Sequence, residues 1–485
     1  MKQTVIIGGG IAGLATAFYL RECGQVNFTL IEQSPHWGGK ITSAQQNGFV
    51  VEGGPDSFLA QKKTALELCR RLGLDDQLVG NNRGKNSTTY VCSAGRLEPM
   101  PEGMMLMAPT MVLPFLRSRL ISWPGKLRMG MEMFVPRRRG DGDRDDASDE
   151  SLAGFVRRRL GAELLNKIAG PLMGGIHAAD PEMLSLRSTF PMFLDMEKKH
   201  GSLVRGMMKR PKRTAAHGSS PPPMFLSLRG GLQQLTDALV AELPSEALRN
   251  LCSVLSVIPR GDRYEVILGS GGSIFADDVV FATPSYITAG LVEQIDPWLA
   301  SMLHSIRYVS TATVSVGFKR SDVQYPLHGA GFIVPRSEGR RITACSWSSE
   351  KFAYRAPDDS VLLRVFIGGA LAEDLAEQDE SALIQLAREE LQAIMGITAA
   401  PVLAKAYRWH KANPQYDVGH SQRLAAIDRR LAEFPGVHLV GAAYRGAGVP
   451  DCIQSGMIAA RAIATERARA DSPYHDQHPP VCISA

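Results

Sequence analysis

The chain has 485 residues, of which 44% are hydrophobic and 21% are charged. This length suits two or three folded domains rather than one. The net charge at pH 7 is +5, and the basic residues are dispersed along the chain, so we expect no nucleic-acid partner. The same mild charge is compatible with an anionic substrate or with a membrane surface.

The cysteines and the hydropathy pattern bear on the cellular compartment. The seven cysteines form no C-x-x-C pair and show no metal-ligand spacing, which argues against a disulfide framework and against a bound metal. The first residues lead directly into an apolar strand, without the regions of a signal peptide. No apolar run reaches the roughly 18 residues that a spanning helix needs. We therefore expect a reduced, cytoplasmic protein that at most contacts the inner face of the cell membrane peripherally.

The first unit of the chain has the pattern of a dinucleotide-binding fold. The apolar strand Thr4–Ile7 runs into the turn Gly8-Gly9-Gly10-Ile11-Ala12-Gly13, and a stretch of helix formers follows. Gly8 makes the turn, Gly10 lets the backbone approach a pyrophosphate, and Gly13 lets the helix pack on the strand. The free N–H groups at the helix N-terminus then face the phosphate.

The residues after the second strand favour FAD over NAD. Glu32 ends the strand Phe28–Ile31 and, with Gln33 beside it, is placed to accept hydrogen bonds from ribose hydroxyls. The turn Gly38-Gly39-Lys40 comes next and resembles the second FAD-binding motif of the amine-oxidase-like flavoproteins. Its glycines let the backbone close over the cofactor, and Lys40 adds a positive charge near it. FAD is therefore the expected cofactor.

The remaining elements follow from apolar periodicity and from glycine or proline turns. The predicted helices lie at 64–73, 125–134, 151–169, 232–243, 380–395 and 453–465. The predicted strands lie at 48–52, 89–97 (a hairpin), 254–257, 264–268, 277–283, 312–318, 331–334, 342–346, 362–367 and 437–442. The strands between 254 and 283 complete the dinucleotide-binding sheet in this prediction, and those between 310 and 370 form a second, mostly antiparallel sheet.

Several motifs outside the glycine turn carry a resemblance to a known family. They are Glu52-Gly53-Gly54-Pro55-Asp56-Ser57-Phe58-Leu59, Leu97-Glu98-Pro99-Met100-Pro101, Gly174-Gly175-Ile176-His177-Ala178-Ala179-Asp180, Arg408-Trp409-His410, Pro414-Gln415-Tyr416 and Pro450-Asp451-Cys452-Ile453. With these motifs the chain resembles the flavin-dependent porphyrinogen oxidases of the haem pathway. It is most similar to the Gram-positive type that oxidises coproporphyrinogen III, from about Thr4 to about Ala464.

The resemblance implies a fold of the α/β class with α+β parts. A split Rossmann-type FAD domain would comprise residues 1–61, 225–296 and 425–466. An antiparallel-sheet substrate domain would comprise 62–86 and 297–424, and a helical insertion domain that faces a membrane in relatives would comprise 87–210. Residues 137–150, 211–224 and 467–485 are expected to be disordered, and Ala147 is the single small apolar residue of the first of these segments.

The resemblance also assigns roles to individual residues. The cofactor-binding residues that it implies are Gly8, Gly9, Gly10, Ile11, Ala12, Gly13, Glu32, Gln33, Gly39, Lys40, Gly54, Pro55, Asp56, Ser57, Val254, Trp409, Gly448, Val449, Pro450 and Asp451. Val254 would contact the adenine edge through its backbone, from a buried strand. The implied substrate-binding residues are Lys62, Ile176, Ile333 and Phe366. Periodicity alone predicts that Phe366 is a core residue and that Lys62 is exposed to solvent.

One departure from the family pattern bears on the substrate. Protoporphyrinogen-type enzymes place an arginine two or three residues before the position of Tyr90, where it pairs with a substrate carboxylate. This chain has Ser87-Thr88-Thr89 there. The departure moves the carboxylate contact to Lys62 and other cations, and it favours coproporphyrinogen III over protoporphyrinogen IX.

The implied reaction is the six-electron aromatisation of a porphyrinogen, with oxygen as the acceptor and peroxide as a product. The flavin carries out this chemistry, and no general base is identified in the sequence. The implied partners are the porphyrinogen, oxygen and other haem-pathway enzymes. Protoporphyrinogen oxidation is the first alternative. More distant ones are an amine oxidase, a carotenoid-type desaturase and a non-catalytic porphyrin carrier with structural FAD.

Overall fold

The computed structural model describes residues 2–25, 27–82, 88–105, 107–109, 111–137, 149–209 and 223–470. The three segments that are expected to be disordered lie almost entirely outside the described residues. The longer helices are Ile11–Glu22, Lys63–Arg71, Trp123–Gly130, Leu152–Arg159, Pro191–His200, Gln233–Glu242, Ser285–Val292, Pro297–His304, Glu380–Met395, His420–Leu431 and Val449–Ala470. Shorter helices are Val112–Arg117, Ala162–Leu164, Gly175–His177, Leu186–Thr189, Leu203–Met208, Ser348–Lys351 and Glu373–Ala376.

A parallel sheet holds the glycine-rich turn. Its strands are, in spatial order, Leu248–Arg249, Phe28–Ile31, Thr4–Ile7, Asp278–Phe281 and Val437–Leu439. The helix Ile11–Glu22 buries nine of its residues because it packs between this sheet and the helix Val449–Ala470. A helix that is apolar on all sides is the expected form for such a position. The strand, turn, helix and strand of residues 4–32 therefore fold as the sequence predicts.

A second, larger sheet carries the rest of the cavity wall. Its seven strands are, in spatial order, Leu403–Pro414, Tyr308–Lys319, Ser360–Gly368, Ala344–Trp347, Gly331–Ile333, Thr89–Ser93 and Arg96–Pro99. All neighbours are antiparallel except Gly331–Ile333 with Thr89–Ser93, which are parallel. The prediction of a mostly antiparallel second sheet is confirmed, and so is the mixed fold class.

The strands near residue 260 differ from the prediction. The strands Val254–Arg260, Arg263–Leu268 and Ser273–Ala276 form their own antiparallel sheet instead of joining the parallel one. The first of them has one fully buried residue, Val257, so Val254 does not come from a buried strand. Short apolar runs look alike in the two kinds of sheet, which is why the sequence pattern did not separate them. Smaller antiparallel pairings join Phe58–Leu59 and Leu78–Gly80 to Phe225–Leu228, Ser43–Gln46 to Phe49–Glu52, and Met104–Met105 to Ala108–Pro109.

The helical region contains a second difference. The predicted single helix over 151–169 is broken after Arg159, because Gly161 has a φ of +97°. The chain then continues through a wider π-helical segment, Leu165–Gly174, that contains Pro171. Segments of this kind are frequent at functional sites. Among the described residues, no helix is long and apolar enough to cross a membrane.

Candidate active site

The glycine turn is shaped by two close backbone approaches. Gly8 has a φ of +110°, and a Cβ there would lie 2.9 Å from the carbonyl oxygen of Ala282. A Cβ at Gly13 would lie 2.0 Å from the carbonyl oxygen of Gly8, so the helix rests directly on the turn. A Cβ at Gly10 would meet no atom within 4 Å. The open side of the turn at Gly10 is therefore available to a ligand, as expected for pyrophosphate contact.

Glu32 is held in place by backbone donors. Its two carboxylate oxygens accept hydrogen bonds from the N–H of Gly9, at 2.7 Å, and of Ser34, at 2.8 Å. A carboxylate offers about four acceptor positions, so two remain for further donors. Glu32 and Gln33 both line the cavity described next. The carboxylate is therefore oriented in advance for hydroxyl groups.

One large cavity joins the glycine turn to the second sheet. Its volume is about 1620 Å³, above the range of about 300–1,000 Å³ that is usual for a single small ligand. The predicted site residues that line it are Gly8, Gly10, Ile11, Ala12, Glu32, Gln33, Gly39, Lys40, Gly54, Pro55, Asp56, Ser57, Ile176, Val254, Ile333, Phe366, Trp409, Gly448 and Val449. The predicted residues that do not are Gly9, Gly13, Lys62, Pro450 and Asp451.

The segment 53–57 forms part of the cavity wall. The carbonyl oxygen of Gly53 accepts hydrogen bonds from Trp409 Nε1 at 2.9 Å and from Thr313 Oγ1 at 3.0 Å. The carboxylate of Asp56 pairs with Lys351 Nζ at 2.8 Å. Burial opposes ionisation of Asp56, but the charges of Lys351 and Arg364 outweigh it and hold the pKa of this carboxyl well below its usual range. This wall of the cavity is thus fixed by the second sheet.

Arg364 is a site residue that the sequence analysis missed. It is 4% exposed, and its guanidinium donates to the carbonyl oxygens of Gly53 and Gly54. Its sequence signal is a single charge inside the apolar strand Ser360–Gly368. Charged side chains are almost never fully buried unless they are paired, so such an isolated charge indicates a specific internal contact. Lys40 is comparable: it donates to the carbonyl oxygen of Ala412, and burial lowers its pKa to about 8.

Lys62 and Asp451 pair with each other beside the cavity. The Lys62 Nζ atom lies 2.5 Å and 2.6 Å from the two carboxylate oxygens of Asp451. Asp451 follows Gly448 and Val449 in the first turn of the last helix, where a negative charge is favourable. The pair therefore joins the residue before the helix Lys63–Arg71 to the first turn of the last helix, beside Gly448 and Val449, which line the cavity.

The predicted substrate wall is apolar. Ile176 follows the π-helical segment and is 59% exposed, toward the cavity. Ile333 and Phe366 come from two strands of the large sheet, and both line the cavity. His177 also lines the cavity, and burial, followed by the nearby charge of Lys62, lowers its pKa to about 4. The imidazole is therefore neutral at pH 7.

These residues fit a bound dinucleotide flavin. Gly10 leaves space at the N-terminus of Ile11–Glu22, and the first turn of that helix contains no acidic side chain that would repel a phosphate. Glu32 offers unused acceptor positions, and Ile176, Ile333 and Phe366 give the cavity an apolar wall. Glu32 with Gln33 would hold the ribose end, and the segment 54–57 with Trp409 would lie along the ring end.

Comparisons with known proteins agree with this geometry. The family model for flavin containing amine oxidoreductases matches residues 11–464. The coproporphyrinogen III oxidase of Bacillus subtilis (strain 168) is 37% identical over 466 residues, covering 94% of this chain and 97% of that protein. The coproporphyrinogen III oxidase of Staphylococcus aureus (strain NCTC 8325 / PS 47) is 32% identical, with coverage of 96% and 99%. A crystal structure from Exiguobacterium sp. 255-15, provisionally assigned as a protoporphyrinogen oxidase, matches with a TM-score of 0.84 and 32% identity, with coverage of 96% and 99%.

Proposed function

Because the chain belongs to the flavin-containing amine oxidoreductase family, we propose that it is an FAD-dependent oxidase that converts coproporphyrinogen III to coproporphyrin III in haem biosynthesis. The observation that carries the proposal is the continuity of one cavity, of about 1620 Å³, from the dinucleotide turn to the apolar wall. A cofactor and a substrate can occupy such a cavity together. Two relatives that match over nearly the full length support the choice of substrate.

FAD, when bound, would supply the two-electron redox chemistry needed three times for each porphyrinogen, with oxygen as the acceptor and peroxide as a product. The chain's part is to bind and orient. Glu32 would accept hydrogen bonds from the adenosine ribose, and Trp409 would lie against the flavin ring. Ile176, Ile333 and Phe366 would hold the puckered ring of the porphyrinogen against the flavin by apolar contact.

His177 is assigned to packing rather than to proton transfer. Its pKa of about 4 makes it a weak proton acceptor at neutral pH, whereas a general base works best with a pKa near the working pH. The neutral imidazole also avoids placing a charge beside the apolar ring of the porphyrinogen. The pyrrole proton released after each oxidation step would then pass to water.

The charge of the substrate distinguishes this proposal from protoporphyrinogen oxidation. Coproporphyrinogen III has four carboxylates, and protoporphyrinogen IX has two. Removing water from a carboxylate without giving it a new partner costs free energy. The four carboxylates of coproporphyrinogen III therefore require more cations near the cavity than the two of protoporphyrinogen IX. Thr88 stands at one of the two positions where the protoporphyrinogen type has its arginine, and the other, Ser87, lies outside the described residues.

Aerobic turnover by the purified protein tests the proposal. We expect peroxide release with both porphyrinogens and a higher kcat/KM for coproporphyrinogen III. A higher kcat/KM for protoporphyrinogen IX would favour the first alternative. Tight porphyrin binding without peroxide release would identify a carrier, and turnover of amines alone would identify an amine oxidase.

We further propose peripheral contact with the cytoplasmic face of a membrane through the helical region. Trp123 and Leu127 are each 70% exposed, and Phe134 is 78% exposed. Within residues 111–137, Arg117 and Arg119 are exposed, whereas the one acid, Glu132, is fully buried. Apolar side chains flanked by positive charges match the surface of an anionic bilayer.

Sedimentation with lipid vesicles tests this contact. We expect binding to phosphatidylglycerol vesicles and weaker binding to phosphatidylcholine vesicles, because the exposed charges are positive. The double variant Trp123→Ser with Leu127→Ser should lose binding. Ile458→Ser removes an apolar residue that is 58% exposed on the last helix and serves as the control. Equal binding by the wild type and the double variant would refute the contact.

A further inference from the structure

Six cationic side chains line the cavity within the described part of the chain. They are Lys40, Arg336, Arg340, Arg341, Lys351 and Arg364. Five of them have partners. Lys40 and Arg364 donate to backbone carbonyl groups, and Lys351 pairs with Asp56. Arg340 and Arg341 lie near Glu390, at 3.8 Å and 3.2 Å.

Arg336 differs from these five residues. It is exposed, and no carboxylate or carbonyl group of the described residues accepts a hydrogen bond from its side chain. It follows Ile333 by three positions, just beyond the strand Gly331–Ile333 that supplies part of the apolar wall. Because Arg336 both lines the cavity and is exposed, we place its side chain at the solvent edge of the cavity. An unpaired guanidinium at that edge is available to an anionic ligand.

The loop that carries Arg336 is anchored. The short 3₁₀ helix Arg336–Glu338 ends at Gly339, which has a φ of +64°. The Glu338 carboxylate accepts hydrogen bonds from the backbone N–H groups of Ala94 and Gly95, each at 3.1 Å. These two residues form the turn between Thr89–Ser93 and Arg96–Pro99. The backbone at Arg336 is thus fixed while its side chain remains unpaired.

We propose that Arg336 is a specificity residue that binds a carboxylate of the porphyrinogen at the edge of the cavity. The inference rests on the proposed function and identifies a cation that the sequence analysis did not. The apolar ring occupies the wall formed by Ile176, Ile333 and Phe366, so its acidic arms must extend toward the edge. A guanidinium can bind a carboxylate there through two parallel hydrogen bonds.

The exposure of the Arg336 side chain sets how much porphyrin affinity its removal should cost. Exposed ion pairs contribute little, and their contribution falls with salt. We therefore expect the loss of Arg336 to weaken porphyrin binding about fivefold at low ionic strength. The effect should be smaller for protoporphyrin IX than for coproporphyrin III, because the former has two carboxylates fewer and need not place one at this edge.

Binding and kinetics of three variants test the proposal. Coproporphyrin III is titrated into flavin-loaded Arg336→Gln, Arg336→Lys and Arg461→Gln, and KM and kcat are measured with coproporphyrinogen III. Arg461 is an exposed arginine outside the cavity lining and is the matched control. We expect Arg336→Gln to raise Kd and KM about fivefold with kcat unchanged, and to reduce the salt dependence of binding. Arg336→Lys should keep most of the affinity, and Arg461→Gln should behave as the wild type.

The outcomes separate this inference from the proposed function. Normal turnover by the wild type together with an unchanged Kd and KM in Arg336→Gln would overturn the role of Arg336 alone. A fall in kcat with an unchanged KM would also overturn it, since that pattern does not arise from lost substrate binding. A wild type that does not oxidise coproporphyrinogen III would overturn the proposed function instead. An equal loss of affinity in Arg461→Gln would point to general charge rather than to this position.

Discussion

Removing Lys62 tests whether this residue serves the cofactor turn or the substrate. In the structure its Nζ atom contacts both oxygens of Asp451, at 2.5 Å and 2.6 Å. The side chains of Lys62 and Asp451 are 47% and 16% exposed. Ion pairs with this degree of exposure contribute about 0.2–1 kcal/mol, which corresponds to at most about fivefold in an equilibrium constant.

The exposures also predict an asymmetry between the two partners. Lys62→Met leaves a largely buried carboxylate without its partner, whereas Asp451→Asn leaves a lysine that water can still reach. The loss of a partner costs more for the less exposed group. We therefore expect Lys62→Met to weaken FAD binding more than Asp451→Asn does, and the double variant to be no worse than Lys62→Met.

The assay is a double-mutant cycle on the FAD dissociation constant, measured by titrating apoprotein with FAD. Lys63→Met, next in the chain and also exposed, is the control, because no ion pair of Lys63 occurs among the described residues. The cycle should give a coupling of up to about 1 kcal/mol. Lys62→Met should also raise the pKa of His177, although burial, the larger cause, will keep it below 6.5.

Strictly additive effects on FAD binding would refute this reasoning. A different pattern would support the substrate role: Lys62→Met raises KM for coproporphyrinogen III, FAD binding is unchanged, and Asp451→Asn has no effect. In that case the lysine leaves Asp451 when the substrate binds.

Two further predictions concern the glycine turn and the response to acid. Gly10→Ala should leave the free energy of unfolding of the apoprotein unchanged but weaken FAD binding. Gly13→Ala should destabilise the apoprotein itself, because its Cβ would lie 2.0 Å from the Gly8 oxygen. Urea unfolding and FAD titration of both variants check these expectations. Burial lowers the pKa of His420 to about 4, below its unfolded value, so its contribution to stability is complete above about pH 6.5 and is lost as the pH falls toward 4. His420 alone should account for a loss of about 2–3 kcal/mol between pH 7 and pH 4.5. Because burial also lowers the pKa of His177 to about 4, His420→Gln should reduce the slope of that part of the urea-unfolding profile rather than remove it.

The sequence predicts those parts of the site that depend on neighbours in the chain. The turn at Gly8–Gly13 and the end of the strand before Glu32 are local, so their pattern identifies both their structure and their ligand. The apolar residues Ile333 and Phe366 were assigned to the cavity through the family resemblance, because periodicity alone shows only that they are buried or nearly so. The choice of FAD as the cofactor also rests on the local turn pattern and on the family resemblance. The comparisons with known proteins agree with this choice.

The parts that the sequence did not predict are contacts between distant segments. Lys62 and Asp451 are 389 positions apart, and nothing near either residue indicates the other. The anchoring of Glu338 by the turn at Ala94 and Gly95 depends on a parallel pairing of strands from two separate regions. The break at Gly161 depends on a φ of +97°, which a glycine permits but does not require.

The distribution of charge along the cavity connects these contacts to substrate choice. At the cofactor end the cations are satisfied internally: Arg364 and Lys40 bind carbonyl groups, and Lys351 is neutralised by Asp56. Because these partners are fixed before any ligand binds, moving one of the cations to a substrate carboxylate would leave a buried group unsatisfied, at a cost of about 1–3 kcal/mol. An unpaired cation at the edge has no such cost. Selectivity between porphyrinogens that differ only in their acidic arms should therefore depend on edge residues such as Arg336, while the residues that hold the flavin can stay the same.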